Sequence, residues 1–251
     1  MNFLEGEVLY FNKPLHWTSF NLVKRIRDTL GGALPGNDLG GLVITGCFAV
    51  GKMDAVLGIP CGDAADPVTA VIESFQYQTK EYVATLRLGA TTPSFDLETE
   101  IDEIFEIEHI TRSETEKVLQ SFVGTIQQVP PVYSACKVDG RRAYDFARNG
   151  EEVVLKAKEL VIDEIELLEY ALPEIKIRVV CSKGTYIRAL ARDIGRALGS
   201  GAHLVSLVRT RVGDVHLKDC YTVDQIDDII EKARLEILAE EEKENIKNTE
   251  I

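Results

Sequence analysis

The sequence predicts an α+β fold: a mixed, largely antiparallel sheet with flanking helices. Segments of two-residue alternation and segments of helical spacing are interspersed along the 251 residues. No βαβ rhythm and no internal repeat organises them. With 45% apolar residues the chain can bury a sizeable core, and its length falls between one large domain and two small ones.

Phe3–Asn12 reads as an opening strand that ends in Asn12-Lys13-Pro14. Thr18 or Ser19 can then cap a helix whose apolar positions Leu22, Val23, Ile26 and Leu30 follow helical spacing. Residues 31–66 hold nine of the nineteen glycines and almost no basic residues, so loops around at most short strands, such as Leu42–Thr45, are expected there. Tyr82–Leu88 alternates as a strand with Tyr82, Ala84, Leu86 and Leu88 on one face. Ser113 followed by Glu116 reads as a capping box opening a helix that stops at Gly124. Lys137–Asn149 is a basic turn feeding a short helix that Gly150 terminates. Ile175–Ser182 alternates again, with Ile175, Ile177, Val179 and Cys181 inward. A helix over Tyr186–Leu198 follows, closed by Gly199, and Arg188, Arg192 and Arg196 fall four apart on one face of it. Thr222 with Gln225 opens a last amphipathic helix, and the polar, acidic remainder from Glu240 is expected to fray.

No apolar run is long enough to span a bilayer and no signal-peptide pattern opens the chain, so a soluble, cytoplasmic protein is expected. Cys47, Cys61, Cys136, Cys181 and Cys220 lack zinc or redox spacing and read as thiols in a reducing compartment. The four histidines are dispersed, and no metal site is predicted. A net charge of −13 runs against nucleic-acid binding, which usually leaves a basic footprint. The charges are segregated, however. Acid gathers at Glu98–Glu108 and Glu231–Glu250, and base at Lys137–Arg148 and Lys183–Arg211.

Three segments carry potential chemistry. Cys181-Ser182-Lys183-Gly184-Thr185-Tyr186-Ile187-Arg188 joins a strand to a helix N-terminus, where anions bind readily, although an ordinary turn has the same pattern. Residues 130–144, from Pro130-Pro131 to Ala143-Tyr144, interleave aromatics with Lys137, Arg141 and Arg142. That composition suits RNA, whose bases stack on rings while cations hold phosphates, and equally a solvated basic turn. Thr79-Lys80-Glu81-Tyr82 opens a strand, where a tyrosine is more often core than catalytic. A competing pattern, Leu42–Thr45 followed by Gly46-Cys47-Phe48-Ala49-Val50-Gly51-Lys52, fits the opening of a phosphate-binding P-loop. Met53 stands where such a loop needs Ser or Thr for magnesium, and Gly58 and Pro60 interrupt the helix that should follow.

Five motifs occur in a fixed order: Asn12-Lys13-Pro14…Trp17-Thr18-Ser19; Lys80-Glu81-Tyr82…Leu86-Arg87-Leu88-Gly89; Pro130-Pro131…Ser134-Ala135…Lys137…Gly140-Arg141-Arg142-Ala143-Tyr144; Ser182-Lys183-Gly184-Thr185-Tyr186-Ile187-Arg188; and Gly201-Ala202-His203-Leu204…Leu207…Arg209-Thr210. Together they resemble the TruB family of tRNA pseudouridine synthases. The resemblance implies a catalytic domain over residues 1–222 and, over 223–251, a C-terminal helix and acidic tail without a separate RNA-binding domain. It implies that uridine 55 of the tRNA T-loop is flipped out of its stack and isomerised by an aspartate nucleophile, attacking either the ribose C1′ or the uracil ring. No cofactor or metal is implied, the partner is the tRNA T-arm, and a monomer is expected. Tyr82 would stack on the uracil, Arg188 would pair with the aspartate, and Tyr186 and Leu207 would line the pocket. Lys13, Lys137, Arg141 and Arg142 are the expected RNA contacts.

The family's Gly-His-x-Gly-Thr-Leu-Asp-Pro-x-Ala-x-Gly signature is not reproduced in residues 31–74. Its nearest counterpart is Gly51-Lys52-Met53-Asp54, followed by Gly62-Asp63-Ala64-Ala65, which makes Asp54 the expected nucleophile and Asp38 the alternative. The histidine has no counterpart, and Ala55 stands in place of the proline. A chain that kept the family's body with an impaired catalytic loop would bind or fold tRNA without modifying it.

Overall fold

The structure, a computed structural model, describes residues 7–30, 43–45, 56–59, 77–134, 136–138, 140–151 and 153–249. The elements run in order as strand β1 (Glu7–Asn12), helix α1 (Ser19–Leu30) and strands β2 (Val43–Thr45), β3 (Val56–Ile59), β4 (Lys80–Leu88), β5 (Ala90–Thr91) and β6 (Glu103–Ile104). Helix α2 (Arg112–Ser121) leads to β7 (Gly124–Gln128), the hairpin β8 (Lys137–Val138) and β9 (Arg141–Arg142), and helix α3 (Ala143–Arg148). Long strands β10 (Lys158–Ala171) and β11 (Glu174–Cys181), helix α4 (Ile187–Ala197) and strand β12 (Ala202–Val212) follow. The chain closes with β13 (Val215–His216), β14 (Tyr221–Thr222) and helix α5 (Ile226–Thr249). Two compact units result, Met1–Gln76 with Asp214–Ile251, and Tyr77–Gly213.

In the first unit β1 is central to a small sheet, parallel to β14 (Phe11 beside Tyr221) and antiparallel to β3. Thr18 caps α1 as expected, its Oγ1 accepting the Asn21 amide at 3.2 Å. Leu22 and Ile26 of α1 pack with Ile226, Ile229, Ile230 and Ala233 of α5 over Leu9 and Phe11. Arg25 pairs with Asp227 at 2.6 Å across the two helices. The Thr222–Gln225 capping box is present, but it caps a short 3-10 turn that runs into α5. That helix then continues to Thr249, so the polar stretch after Glu240 is helical and not frayed.

The second unit carries the main sheet, ordered within it as β12-β4-β11-β10-β7, every pair antiparallel. Strand alternation places Ala84, Leu86 and Leu88 of β4 and Ile175, Ile177, Val179 and Cys181 of β11 in one core with Ile187, Leu190, Ala191, Ile194 and Leu198 of α4. Burying each leucine, isoleucine or valine among them contributes about 1.5–3 kcal/mol. Helix α2 begins two residues earlier than predicted, capped by Thr111, whose hydroxyl accepts the Glu114 amide at 3.2 Å. Ile110, 3% exposed, is buried just before the cap and sets the point at which the chain enters the helix. Helix α4 ends in a double turn-back: Ser200 N–H bonds Gly195 C=O at 2.9 Å and Gly199 N–H bonds Arg196 C=O at 3.0 Å. Gly199 accordingly sits at φ +67°. Gly195 lets β12 approach, since a Cβ there would lie 2.5 Å from the Ala202 nitrogen.

Candidate active site

Strand β11 hands the chain to α4 through a turn in which Thr185 Oγ1 donates to Ser182 C=O at 3.0 Å and Gly184 takes φ +89°. Tyr186 is the N-cap of α4. Its backbone is gripped at both polar groups by Gln128, the last residue of β7 and 1% exposed. Gln128 Oε1 accepts the Tyr186 N–H at 2.9 Å, and Gln128 Nε2 donates to the Tyr186 carbonyl at 3.3 Å. Tyr186 is thereby fixed, and Arg188 two residues on is aimed.

Arg188 meets a carboxylate at 2.9 Å, and the partner is Asp96. Their side chains are 17% and 8% exposed. The same guanidinium donates to the carbonyls of Tyr133 at 2.9 Å and Ser94 at 3.4 Å. Asp96 is itself oriented: its Oδ1 accepts Ser94 Oγ at 2.6 Å and the Glu98 amide at 2.9 Å. Among the described residues this is the carboxylate at Arg188. Asp54 and Asp38 lie outside the described residues, as does the stretch after β2 on which the P-loop pattern rests. Sequence reasoning missed Asp96 because Ser94-Phe95-Asp96-Leu97-Glu98 looks like a local aspartate turn, and its partner lies 92 residues away.

Tyr82 on β4 and Leu207 on β12 are both half-buried against the core cluster that includes Ile187 and Leu190 of α4. Strand register puts Tyr82 opposite Arg209, whose guanidinium lies 5.6 Å from the tyrosine ring centroid, and Leu207 opposite Ala84. Tyr82, Leu207 and the start of α4 therefore share one face of the sheet.

The expected RNA contacts separate. Lys137 and Arg142 are exposed and directly opposite each other on the β8–β9 hairpin, a like-charge pairing that costs stability unless an anion is near. Arg142 also donates to Tyr144 Oη at 3.1 Å, and Arg148, not singled out from the sequence, lies 5.1 Å from the Tyr144 ring. Arg141 is engaged internally, on Glu151 at 3.1 Å and over the Phe146 ring at 4.1 Å. Lys13 is set differently. It is 4% exposed, in the first unit, and its Nζ donates to the Trp17 carbonyl at 2.6 Å, clamping the turn before α1.

Residues 56–187 match the model for the TruB family pseudouridylate synthase N-terminal domain, and residues 188–246 that for the tRNA pseudouridylate synthase B C-terminal domain. The tRNA pseudouridine synthase B of Parabacteroides distasonis is 60% identical over 97% of this chain and all of its own length. The chain belongs to the TruB family. A TruB relative from Flavobacterium johnsoniae, also named tRNA pseudouridine synthase B, is 41% identical over 88% of this chain and 94% of its own. Among solved structures, a Cbf5-Nop10-Gar1 complex matches with a TM-score of 0.63 and 25% identity over 91% of this chain, which spans 55% of that chain. These matches agree with the predicted α+β class. Among the described residues of this TruB chain, no helix is long and apolar enough to cross a membrane.

Proposed function

We propose that this chain is a tRNA pseudouridine synthase acting on uridine 55 of the T-arm, working in the cytoplasm where tRNA resides. The observation that carries the reading is the near full-length identity to relatives named for that activity. The geometry supports it. A cation is held at the first turn of α4, two residues after a tyrosine N-cap, and a half-buried tyrosine of β4 packs against the core cluster to which that turn contributes Ile187 and Leu190.

In the reaction the N1–C1′ bond breaks and a C5–C1′ bond forms. One proton leaves C5 and one is taken up at N1, so atoms balance without an external donor. Tyr82 forms the floor on which the everted uracil stacks, and Leu207 and Tyr186 close the pocket around it. Arg188, tied to Asp96 and two carbonyls, presents positive charge to the nucleophile, for which Asp54 is the candidate. A fixed cation keeps a neighbouring carboxylate ionised. Lys137, Arg142 and Arg148 around Tyr144 form the exposed grip on the T-arm; Arg141 shapes that segment through Glu151 and Phe146.

The test is release of tritium from a tRNA transcript labelled at uridine C5. Turnover is expected on the T-arm uridine and none on a transcript carrying cytidine at that position. Asp54→Ala should abolish release and leave tRNA binding intact; unchanged turnover would move the nucleophile elsewhere. Binding of tRNA by the wild-type protein with no release at all would replace this reading with that of a non-catalytic tRNA binder.

A further inference from the structure

Arg188 and Arg192, one helical turn apart on α4, reach the same two loops. Arg188 holds Ser94 and Asp96 in the first and the Tyr133 carbonyl in the second. Arg192 donates to the Val129 carbonyl at 3.1 Å, and its guanidinium carbon lies 4.9 Å from the Phe95 ring centroid. It is 7% exposed, and Asp193 sets the plane of its fork through contacts of 2.8 and 3.1 Å. A buried guanidinium stacked on a ring acts as a rigid plate, which lysine cannot reproduce.

Phe95 sits at φ +62°, a left-handed conformation that is strained for a bulky residue. It is held from both sides. Its N–H bonds the Thr92 carbonyl at 3.0 Å, its own carbonyl accepts the Leu204 amide at 2.9 Å, and its ring lies on Arg192. The next residue is Asp96. Relaxing Phe95 toward negative φ would turn the chain and carry the Asp96 carboxylate away from Arg188. Val129 in turn precedes Pro130-Pro131, the stiff root of the segment bearing Lys137, Arg142 and Tyr144.

We infer that Arg192 is a positioning residue: through the Phe95 ring and the Val129 carbonyl it sets both the Asp96–Arg188 pair and the root of the RNA-gripping segment. Its catalytic consequence rests on the synthase reading above; its structural consequence does not.

Two readouts separate them. In single-turnover tritium release, Arg192→Lys should slow the chemical step by about 10- to 100-fold, as expected for a small misplacement of reacting groups. Affinity for tRNA should fall by much less, about threefold, because the gripping cations are untouched and only the root of their segment loosens, so the rate loss is chiefly one of transition-state positioning. In hydrogen exchange, peptides covering 89–101 and 129–134 should open together in the variant, while those of β7, β10 and β11 stay unchanged. Phe95→Gly, which accepts positive φ but removes the ring, should reproduce both effects and serves if Arg192→Lys fails to fold. Wild-type turnover with full-rate Arg192→Lys and Phe95→Gly overturns the proposal, as does faster exchange in only one loop or in neither. A wild-type protein without turnover, but with both loops opening in the variants, would sink the synthase reading and uphold the clamp.

Discussion

Replacing Asp96 by asparagine keeps the shape of the side chain and reverses one of its oxygens. In the native protein Oδ2 faces Arg188 at 2.9 Å, while Oδ1 accepts from Ser94 Oγ and the Glu98 amide. Arg188 on one side and the Glu98 amide on the other can only donate, so the new NH2 meets a donor whichever way it is turned. A charged hydrogen bond worth about 1.5–3 kcal/mol is lost. Stripping the partner from a fully buried ion pair costs about 3–5 kcal/mol. Arg188 retains the Tyr133 and Ser94 carbonyls and is 17% exposed, so Asp96→Asn falls below that range, at about 2–3 kcal/mol.

Urea unfolding followed by far-UV circular dichroism reads this directly. With a slope of about 2 kcal/mol per molar urea, the midpoint should fall by about 1 M or more. Single-turnover tritium release should drop about 100-fold, because Arg188 loses the contact that fixes its direction, while tRNA still binds. A midpoint within about 0.2 M of wild type, together with undiminished turnover, would refute the reasoning, for it would mean that the guanidinium does not need this carboxylate.

Gln128→Ala leaves the Tyr186 N–H without its acceptor, while the carbonyl keeps the Leu190 amide at 3.0 Å; with Gln128 1% exposed, this should cost about 1–3 kcal/mol in a thermal melt, with turnover falling as the N-cap loosens. Burial pushes the Cys181 thiol up to about 11, so iodoacetamide at pH 8 should leave it unmodified in the native protein and label it once urea unfolds the chain; peptide mapping checks this, and rapid native labelling would contradict it. Burial pushes the Glu81 carboxyl up, but hydrogen bonds from Thr210 and Arg178 outweigh it and hold it below its ordinary value of 4.5. A depressed folded pKa means that its stabilisation is complete above the unfolded pKa and is lost as pH falls through the folded one. The stability gap between wild type and Glu81→Gln should therefore be widest near neutrality and close in acid, as read from urea midpoints between about pH 3 and 7. A gap independent of pH would count against the linkage.

Strands with unbroken alternation were legible. Tyr82 to Leu88 and Ile175 to Cys181 lie where their two-residue period places them, because each residue has one partner on each side. Strand β10, the longest, was not legible, although Leu160, Ile162 and Ile165 are all buried. Its register slips between Ile162 and Glu164 and again between Leu167 and Glu169, so Leu160, Ile162, Ile165, Leu167 and Tyr170 fall alternately two and three apart and keep no single period. Strand β12 was read only as a motif, and it carries two such slips. At α2, Thr111…Glu114 and Ser113…Glu116 are nested versions of one cap signal, and only tertiary burial of Ile110 selects the first.

The site divides along the same line between local and distant information. Tyr186 and Arg188 could be placed because a strand, a glycine turn and a helix follow one another in the chain. Asp96 could not, because nothing near it records that a guanidinium 92 residues away will arrive. Charge shows the same divide. A net charge of −13, spread evenly, would leave little for RNA, and the basic stretches of the sequence do not say which cations remain available. Arg178 faces three carboxylates, Glu81, Glu164 and Glu166, while Arg188, Arg192 and Arg141 are each matched to an acid. Lys137 and Arg142, by contrast, are exposed side by side on a hairpin, with Arg148 against the Tyr144 ring beside them. An acidic protein can thus hold a phosphate backbone with a few local cations, because beyond about 8–10 Å at physiological salt its remaining acids are screened from that contact.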